Sequence, residues 1–339
     1  MISKFIVIGE NIHCTRILKR GGAMVPKLDD GREVIAFESQ GRKMHLPIPD
    51  ALRGTGDWEA GRVKHFIAAM RQGFYGHGAG RQAGLDYIQA MARKQEENGA
   101  AFLDINVDEF STDVAERVRL ITWAAGAVQQ ASRLPLSIDT SNEAIMRAGL
   151  EACDPERGRP MINSVSLERL GLLPLVAGFK PAVVASAAGA TALPRDTAER
   201  MANLKDLIPR LLDAGLKPSW IYVDPLVYTI STDPMNGAMF LDAVRAIRAE
   251  YGPEIHIIGG LSNISFGMPN RKLINQVFAR MCVEAGGDGG IVDPVQINAK
   301  LLNALAADSE GYKLARALLA GEDEFGVNFI EAFRGGRIK

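Results

Sequence analysis

The sequence has no excess of charge of either sign and no long apolar run. Its 39 lysines and arginines nearly cancel its 40 aspartates and glutamates, which leaves a formal net charge of −1. A chain with this balance presents no broad basic field for nucleic acid or an anionic membrane, so we expect a small molecule or another protein as its partner. No stretch is long and apolar enough for a membrane span or for the core of a signal peptide.

Cysteines are also few. Cys14, Cys153 and Cys282 lie far apart and form no C-x-x-C pair, which argues against a disulfide framework and indicates reduced thiols in a cytoplasmic protein. Glu10 and His13 cluster with Cys14, but no second dense group of histidines or cysteines completes a tetrahedral zinc site. We therefore expect a cytoplasmic protein without a metal site.

What the chain does contain is a regular alternation of β-rich runs and amphipathic helical patterns. The β-rich runs cover residues 4–10, 101–107, 134–140, 161–165, 182–186, 220–225, 254–259 and 289–293. The helical patterns cover residues 83–98, 113–131, 142–153, 167–176, 197–214, 237–251, 271–285 and 296–308. Eight alternations without a Rossmann glycine fingerprint favour an α/β fold, a (β/α)8 TIM barrel, over an open doubly wound sheet. We expect one domain over residues 1–339.

Two segments depart from this alternation. Residues 19–80, after the first strand, are rich in glycine, proline and charge and are predicted to form an inserted lid or interaction segment. Within it, residues 34–37 and 44–46 are predicted to form a hairpin and residues 58–70 a helix. The C-terminal tail, residues 309–339, is predicted to pack as a terminal helix.

The most informative single stretch is residues 256–263, HIIGGLSN. A β-branched run ends there in two glycines and then in Ser262 and Asn263, and a helical pattern begins at about residue 271. In parallel α/β proteins the ligand binds at the carboxyl ends of the strands. Ser262 and Asn263 are therefore the first candidates for a functional site.

Several other predicted strands end in a carboxylate or an amide. These side chains are Asp104, Asn106, Asp139, Asn163, Asp224, Asn263 and Asp293. Any one of them could cap a helix or close a turn. As a set, with few lysines or arginines on the same strands, they suit a neutral heterocycle rich in N–H donors better than a phosphate.

A pterin is such a heterocycle. Its amino-pyrimidinone edge offers a pair of N–H groups to a carboxylate, and hydrogen bonds to charged groups contribute roughly 1.5 to 3 kcal/mol each. An asparagine adds one donor and one acceptor for the ring's remaining polar groups. Asp139, Asn163 and Asp224 could bind a pterin in this way.

Seven short motifs occur in order and together resemble the methyltetrahydrofolate:corrinoid methyltransferases. They are GE at 9–10, LDINV at 103–107, IDTSN at 138–142, MINS at 161–164, YVDPL at 222–226, GLSN at 260–263 and NRKLIN at 270–275. This family belongs to the pterin-binding barrel superfamily that also contains dihydropteroate synthase. The resemblance covers the first dozen residues and roughly residues 82–300.

The resemblance implies roles for individual residues. Substrate binding falls to Asp139, Asn163, Asp224, Gly260, Ser262 and Arg271, whereas Asn263 hydrogen-bonds near the N5 atom that carries the methyl group. The substrate would be tetrahydrofolate or 5-methyltetrahydrofolate. The chain has no D-x-H-x-x-G corrinoid signature, so cobalamin would arrive on a separate corrinoid protein. The resemblance also implies a transferase of one-carbon metabolism that forms a homodimer.

The chain departs from the family pattern at several points, and two other functions stay open. Asn11 and His13 replace the usual arginine and asparagine, and Phe266 occupies a polar position that faces folate. A dihydropteroate synthase-like enzyme would need a basic diphosphate pocket, but the second strand runs into the acidic segment 108–113. A non-catalytic folate-binding subunit is the other alternative, and the presence of Asn263 speaks weakly against it.

Overall fold

A computed structural model describes residues 2–338. The chain divides into two compact units. The first unit contains Met1–Gly9, Gly99–Ala101 and Met161–Lys339, and the second contains Glu10–Asn98 and Phe102–Pro160.

Strands and helices alternate along most of the chain. The strands are β1 (Ile6–His13), β2 (Ile17–Lys19), β3 (Val34–Ser39), β4 (Arg42–Pro47), β5 (Arg62–Lys64), β6 (Phe102–Asn106), β7 (Leu136–Asp139), β8 (Met161–Val165), β9 (Ala182–Ser186), β10 (Ile221–Asp224), β11 (His256–Ile257) and β12 (Gly289–Val292). The α-helices are α1 (Gly56–Glu59), α2 (His65–Met70), α3 (Gly78–Glu97), α4 (Val114–Gln129), α5 (Glu143–Glu151), α6 (Leu173–Phe179), α7 (Thr197–Asp213), α8 (Asn236–Tyr251), α9 (Arg271–Glu284), α10 (Ala299–Asn303), α11 (Glu310–Ala320) and α12 (Val327–Arg334).

One eight-stranded sheet has the order β11-β10-β9-β8-β7-β6-β1-β12. The first and last strands pair in parallel, from Ile6 opposite Gly289 to Gly9 opposite Val292. The two outermost strands of this order are β11 and β12. The N–H of Asp288, which directly precedes β12, donates to the carbonyl of Ile257 in β11 at 2.8 Å, so a backbone hydrogen bond also connects these two outermost strands. This order, with helices between successive strands, is that of the predicted α/β (β/α)8 TIM-barrel fold, which is confirmed.

The strands and helices form because their apolar residues match the period of each element. All five residues of β9 are buried, as expected for a parallel strand covered on both faces. In α7, Leu204, Leu207, Ile208 and Leu211 are buried at helical spacing. Asn142 accepts hydrogen bonds from the Ala144 and Ile145 N–H groups and caps α5.

The inserted segment is folded, but differently from its prediction in one part. The predicted hairpin is present as the antiparallel pair β3 and β4. The single helix predicted over residues 58–70 is wrong, because α1 ends before Gly61, whose φ of +72° lies in the left-handed region. The chain then forms β5, which pairs with β2, before α2 begins.

The C-terminal tail also differs from its prediction. It forms two helices, α11 and α12, rather than one terminal helix. Gly321 ends α11 with a φ of +78°, a conformation that favours glycine and stops a helix. Within residues 2–338, no helix is both long and apolar enough to cross a membrane.

The close approach of α3 to the segment before it gives a test of this packing. A Cβ on Gly84 would lie 2.5 Å from the Ala69 carbonyl oxygen, an atom that cannot move without shifting buried α2. We expect Gly84→Ala to lower the free energy of unfolding by about 1 to 3 kcal/mol, as overpacking does. Urea unfolding of the variant measures this change.

The matched control is the same substitution in the neighbouring helix. At Gly126 of α4, no atom lies within 4 Å of the position that an added methyl group would take. Gly126→Ala should therefore raise stability by up to about 1 kcal/mol through helix propensity alone. If Gly84→Ala were as stable as Gly126→Ala, the tight packing of α3 on the inserted segment would be contradicted.

Candidate functional site

The predicted site residues fall in both units. Asn163, Asp224, Gly260, Ser262, Asn263 and Arg271 lie in the first unit, and Asp139 lies in the second. Each of the three predicted pterin-binding side chains lies in or at the end of a strand of the eight-stranded sheet, in β7, β8 or β10. Parallel α/β proteins bind their ligands at the carboxyl ends of such strands.

Asp224 is the last residue of β10 and is partly buried. Its Oδ1 accepts a hydrogen bond from the Leu226 N–H at 2.9 Å. Desolvation raises the pKa of the Asp224 carboxyl from 3.8 to about 6, and both the Leu226 N–H and the positive charge of Arg200 oppose this rise. The carboxylate is therefore ionised at neutral pH but close to taking up a proton.

Asn263 lies in a short 3₁₀ turn, Leu261–Ser265, directly after β11. Its N–H donates to the Gly260 carbonyl at 3.0 Å. A Cβ on Gly260 would lie 2.9 Å from Nδ2 of Asn263, so a larger residue there would displace the amide. Gly260 thus leaves the space in which the Asn263 side chain sits.

Arg271 braces the same turn. Its Nη2 donates to the Ser262 carbonyl at 2.8 Å and its Nε donates to Ser265 Oγ at 3.0 Å. The guanidinium carbon also lies 4.3 Å from the centre of the Phe266 ring, within the range of a cation–π contact. Ser262 and Arg271 are thereby brought together, and Phe266 joins them.

A cavity of about 620 Å³ opens beside this turn in the first unit. Asn263, which is exposed, forms part of its wall together with Phe266, Tyr228, Thr229 and Asn236. Its volume is in the range of small-molecule sites, roughly 300 to 1,000 Å³. Asn263 is thus a predicted residue whose amide has direct access to a ligand-sized space.

Asn163 lies in β8, which forms a parallel pair with β9. The register between these strands shifts between Asn163 and Val165. A shift of this kind locally bends a strand and changes the direction of its side chains, and it is frequent beside active sites. Asn163 is partly exposed at this irregular strand end.

Asp139, the last residue of β7, is held by two donors of the second unit. Its Oδ2 accepts from His13 Nε2 at 3.1 Å and from Asn106 Nδ2 at 3.1 Å. The Thr15 N–H donates to His13 Nδ1 at 3.1 Å, which places the proton of the neutral ring on Nε2. His13, where the family usually has an asparagine, thus keeps an N–H donor directed at Asp139.

The pKa of the His13 ring depends on the charged groups around it. Burial lowers its pKa, but the hydrogen bond and negative charge of Asp139, with the charge of Asp104, outweigh this effect and leave the pKa raised above 6.5. Protonation of this imidazole would add a positive charge beside the Asp139 carboxylate.

The acidic segment after β6 has structural partners. Asp108 accepts hydrogen bonds from Thr140 Oγ1 at 2.6 Å and from the Ser141 N–H at 3.0 Å. Asp113 accepts from the Ala115 N–H and caps α4. These two carboxylates therefore fix the local backbone.

Sequence reasoning missed two residues that shape the first unit's site. Arg200 is fully buried in α7 and donates to the Pro225 carbonyl at 2.7 Å. Asn236 is also buried and donates from Nδ2 to the Thr229 carbonyl at 2.8 Å, which fixes a wall of the cavity. A signal for Arg200 was present in the sequence, because it precedes Leu204 by four residues on the apolar face of α7.

Known proteins are similar to this chain in sequence and in fold. Residues 78–293 match the family described as pterin binding enzyme. A methylcorrinoid:tetrahydrofolate methyltransferase of Eubacterium limosum is 31% identical over 259 residues, which are 74% of this chain and 89% of that protein. The methionine synthase of Mycobacterium tuberculosis is 31% identical over 229 residues, 62% of this chain but only 19% of that longer enzyme.

A solved structure agrees at the level of the fold. The dihydropteroate synthase from Xanthomonas albilineans in complex with 7,8-dihydropteroate aligns with a TM-score of 0.54 and 19% identity over 94% of this chain and 95% of that one. With the matched family and the Eubacterium limosum relative, this likeness confirms the resemblance predicted from the motifs. The chain belongs to the pterin-binding enzyme family and, within it, to the methyltetrahydrofolate:corrinoid methyltransferases.

Proposed function

We propose that this enzyme moves a methyl group between N5 of tetrahydrofolate and a corrinoid carried by a separate protein. The observation that carries the proposal is the position of Asn263, an exposed amide in the wall of a cavity of about 620 Å³ directly after β11. Family membership and the activity named for the Eubacterium limosum relative support it.

The pterin ring is bound by Asp224 and Asn163 through its amino-pyrimidinone edge. An ionised carboxylate accepts two parallel N–H donors, and Asn163 adds one donor and one acceptor. Because Oδ1 of Asp224 already accepts from the Leu226 N–H, the orientation of this carboxylate is set before the ligand arrives. The resemblance gives Asp139 the same pterin-binding role, and we propose it as well.

Gly260, Ser262 and Arg271 line the folate site by supporting the turn that carries Asn263. Gly260 leaves room for the amide, and Arg271 holds the Ser262 carbonyl. This bracing keeps the Asn263 side chain in one place without help from the ligand, which is the condition for preorganised hydrogen bonding.

The chemical difficulty is the leaving group. As the N5–methyl bond breaks, its electron pair stays on N5, and the nitrogen is a poor leaving group unless a proton or a strong hydrogen bond stabilises that pair. The Asn263 amide donates such a hydrogen bond, whereas the proton comes from solvent because an amide cannot act as an acid. The corrinoid supplies a nucleophilic cobalt centre that accepts the methyl group.

Removal of the Asn263 amide tests its catalytic role. We expect Asn263→Ala to lower kcat for methyl transfer from methyltetrahydrofolate to free Co(I) cobalamin by roughly 10²- to 10³-fold, as loss of one preorganised donor does. The cobalt spectrum under anaerobic conditions measures the rate, and calorimetry should still detect folate binding.

Asn303→Ala is the control for this variant. Asn303 belongs to the same unit, and its side chain bonds to the backbone of Ile2, so full turnover is expected. Normal turnover in Asn263→Ala would contradict the assigned role. Folate binding without turnover in the unaltered protein would instead favour a binding subunit.

Asp224 should make folate affinity depend on pH. Its pKa of about 6 means that the ionised acceptor is lost as the pH falls through 6. We expect affinity for methyltetrahydrofolate to be nearly constant above pH 7 and to fall about tenfold per pH unit well below pH 6. Asp224→Asn should bind about 10- to 150-fold more weakly at pH 8, which corresponds to about 1.5 to 3 kcal/mol.

Calorimetry between pH 5 and 8 measures both effects. Asp242→Asn, an exposed change on α8, is the matched control and should titrate like the unaltered protein. The pH dependence that remains in Asp224→Asn reports the ligand's own ionisation. If Asp224→Asn kept the unaltered affinity at every pH, Asp224 would not be a pterin ligand.

For residues 19–80 we propose the interaction role, with the corrinoid protein as partner. Deleting the whole segment would also remove α2, every residue of which is buried, so a surface change is the better test. Met24 is 45% exposed on this segment. We expect Met24→Glu to slow methyl transfer to the protein-bound corrinoid several-fold and to leave transfer to free cobalamin unchanged.

The two acceptors separate docking from chemistry. Met24→Gln serves as the uncharged control, and equal losses with both acceptors would indicate misfolding rather than lost docking. An unchanged rate with the corrinoid protein would contradict a contact at Met24. We also propose the homodimer that the resemblance implies, which sedimentation equilibrium would detect.

A further inference from the structure

We infer that Arg200 is a positioning residue for Asp224: it holds the backbone after β10 in the conformation that presents the Asp224 carboxylate to the pterin. The inference rests on the proposed function, because it takes Asp224 as a pterin ligand. Arg200 lies on α7, outside every motif that carries the family resemblance.

The contacts of Arg200 are directed at the chain just after Asp224. Its Nε donates to the Pro225 carbonyl at 2.7 Å, and its Nη2 makes a longer contact of 3.5 Å with the Leu226 carbonyl. The guanidinium carbon lies 5.1 Å from the centre of the Tyr228 ring, in cation–π range. One planar side chain thus engages three of the four residues that follow the strand.

The backbone held in this way is in an unusual conformation. Leu226 has a φ of +71°, in the left-handed region that residues with a side chain rarely adopt. Two groups hold it there: Asp224 Oδ1 accepts from its N–H at 2.9 Å, and Arg200 contacts its carbonyl. Without the Arg200 contacts, Leu226 could relax and the carboxylate bonded to it would turn.

The burial of Arg200 indicates that its charge is used. Its relative exposure is 0%, and Nη1 has no hydrogen-bond partner among residues 2–338. A buried donor without a partner is costly, so an arginine that only filled space would be a poor choice here. Its charge does act on Asp224, where it opposes the rise in pKa that burial causes.

Few other groups influence this carboxylate. The titratable groups coupled to Asp224 are Arg200, the Tyr228 phenol and the buried Cys282 thiol. The phenol and the thiol both have raised pKa values because of burial, and both are neutral near pH 6. Arg200 is therefore the charged group whose removal should shift the titration of Asp224 upward.

The test combines affinity with its pH dependence. We expect Arg200→Met to bind methyltetrahydrofolate about tenfold more weakly at pH 8 and to move the midpoint of the acid loss of binding well above 6. Arg200→Lys, which keeps the charge, should restore the midpoint but not the full affinity, because lysine lacks the planar fork. Calorimetry from pH 5 to 9 supplies both quantities.

Arg248→Met is the matched control. Arg248 is a partly buried arginine of the same unit that also donates to backbone carbonyls, those of Gly252, Ile255 and Gly286. Its loss should lower the melting temperature without moving the midpoint. If Arg200→Met behaved in the same way, with lower stability and an unchanged midpoint and affinity, Arg200 would be merely structural and the inference would be overturned.

Two further measurements keep the outcomes apart. If Arg200→Met does not fold, Arg200→Gln removes the charge while keeping donors, and the same midpoint shift is expected. A carbon-13 NMR titration of the Asp224 carboxyl in the unliganded protein reports the coupling without folate. A shifted titration there, with folate binding indifferent to Asp224→Asn, would support the coupling and overturn the proposed pterin role.

Discussion

A carboxylate at the end of an apolar strand imposes the main constraint on the first unit. The three residues before Asp224 in β10 are buried, so a charged side chain lies at the end of an otherwise buried strand. Leaving water raises the pKa of that group, and a binding site for N–H donors works only if it stays ionised. The charge of Arg200 and the hydrogen bond from the Leu226 N–H oppose this rise in pKa. The left-handed backbone of Leu226 is the conformation in which its N–H donates to Asp224 Oδ1.

The turn after β11 solves a different problem. A neutral amide needs no counter-charge, but it must be held still if it is to stabilise a developing electron pair. Gly260 provides space, and Arg271 fixes the turn through the Ser262 carbonyl and the Phe266 ring. Phe266, a departure from the family pattern, thus belongs to the support of this turn while also forming part of the cavity wall.

The second unit contains the inserted segment and the contact between His13 and Asp139. β1 extends to His13, and the Cys14 N–H donates to the Asn106 carbonyl, so the inserted segment begins from a fixed point. His13 then supplies to Asp139 a donor that can also carry charge, which asparagine could not. The insertion itself packs through buried α2, so it is part of the folded unit rather than an appended loop.

The sequence by itself determined the fold class and most of the strands and helices, and it supplied the candidate site residues. Apolar runs and helical spacing are local signals, and a polar residue that ends an apolar run is visible in the sequence, as Asp224 and Asn263 show. The ordered motifs were also sufficient to identify the family. Tertiary structure decided what local signals do not contain. Residues 62–64 became a strand because β2 offered backbone partners, and Arg200 acquired its hydrogen bond to Pro225 because folding brings α7 against the loop after β10. Both depend on contacts between residues distant in the chain, whose energies exceed the local preferences that a sequence reveals.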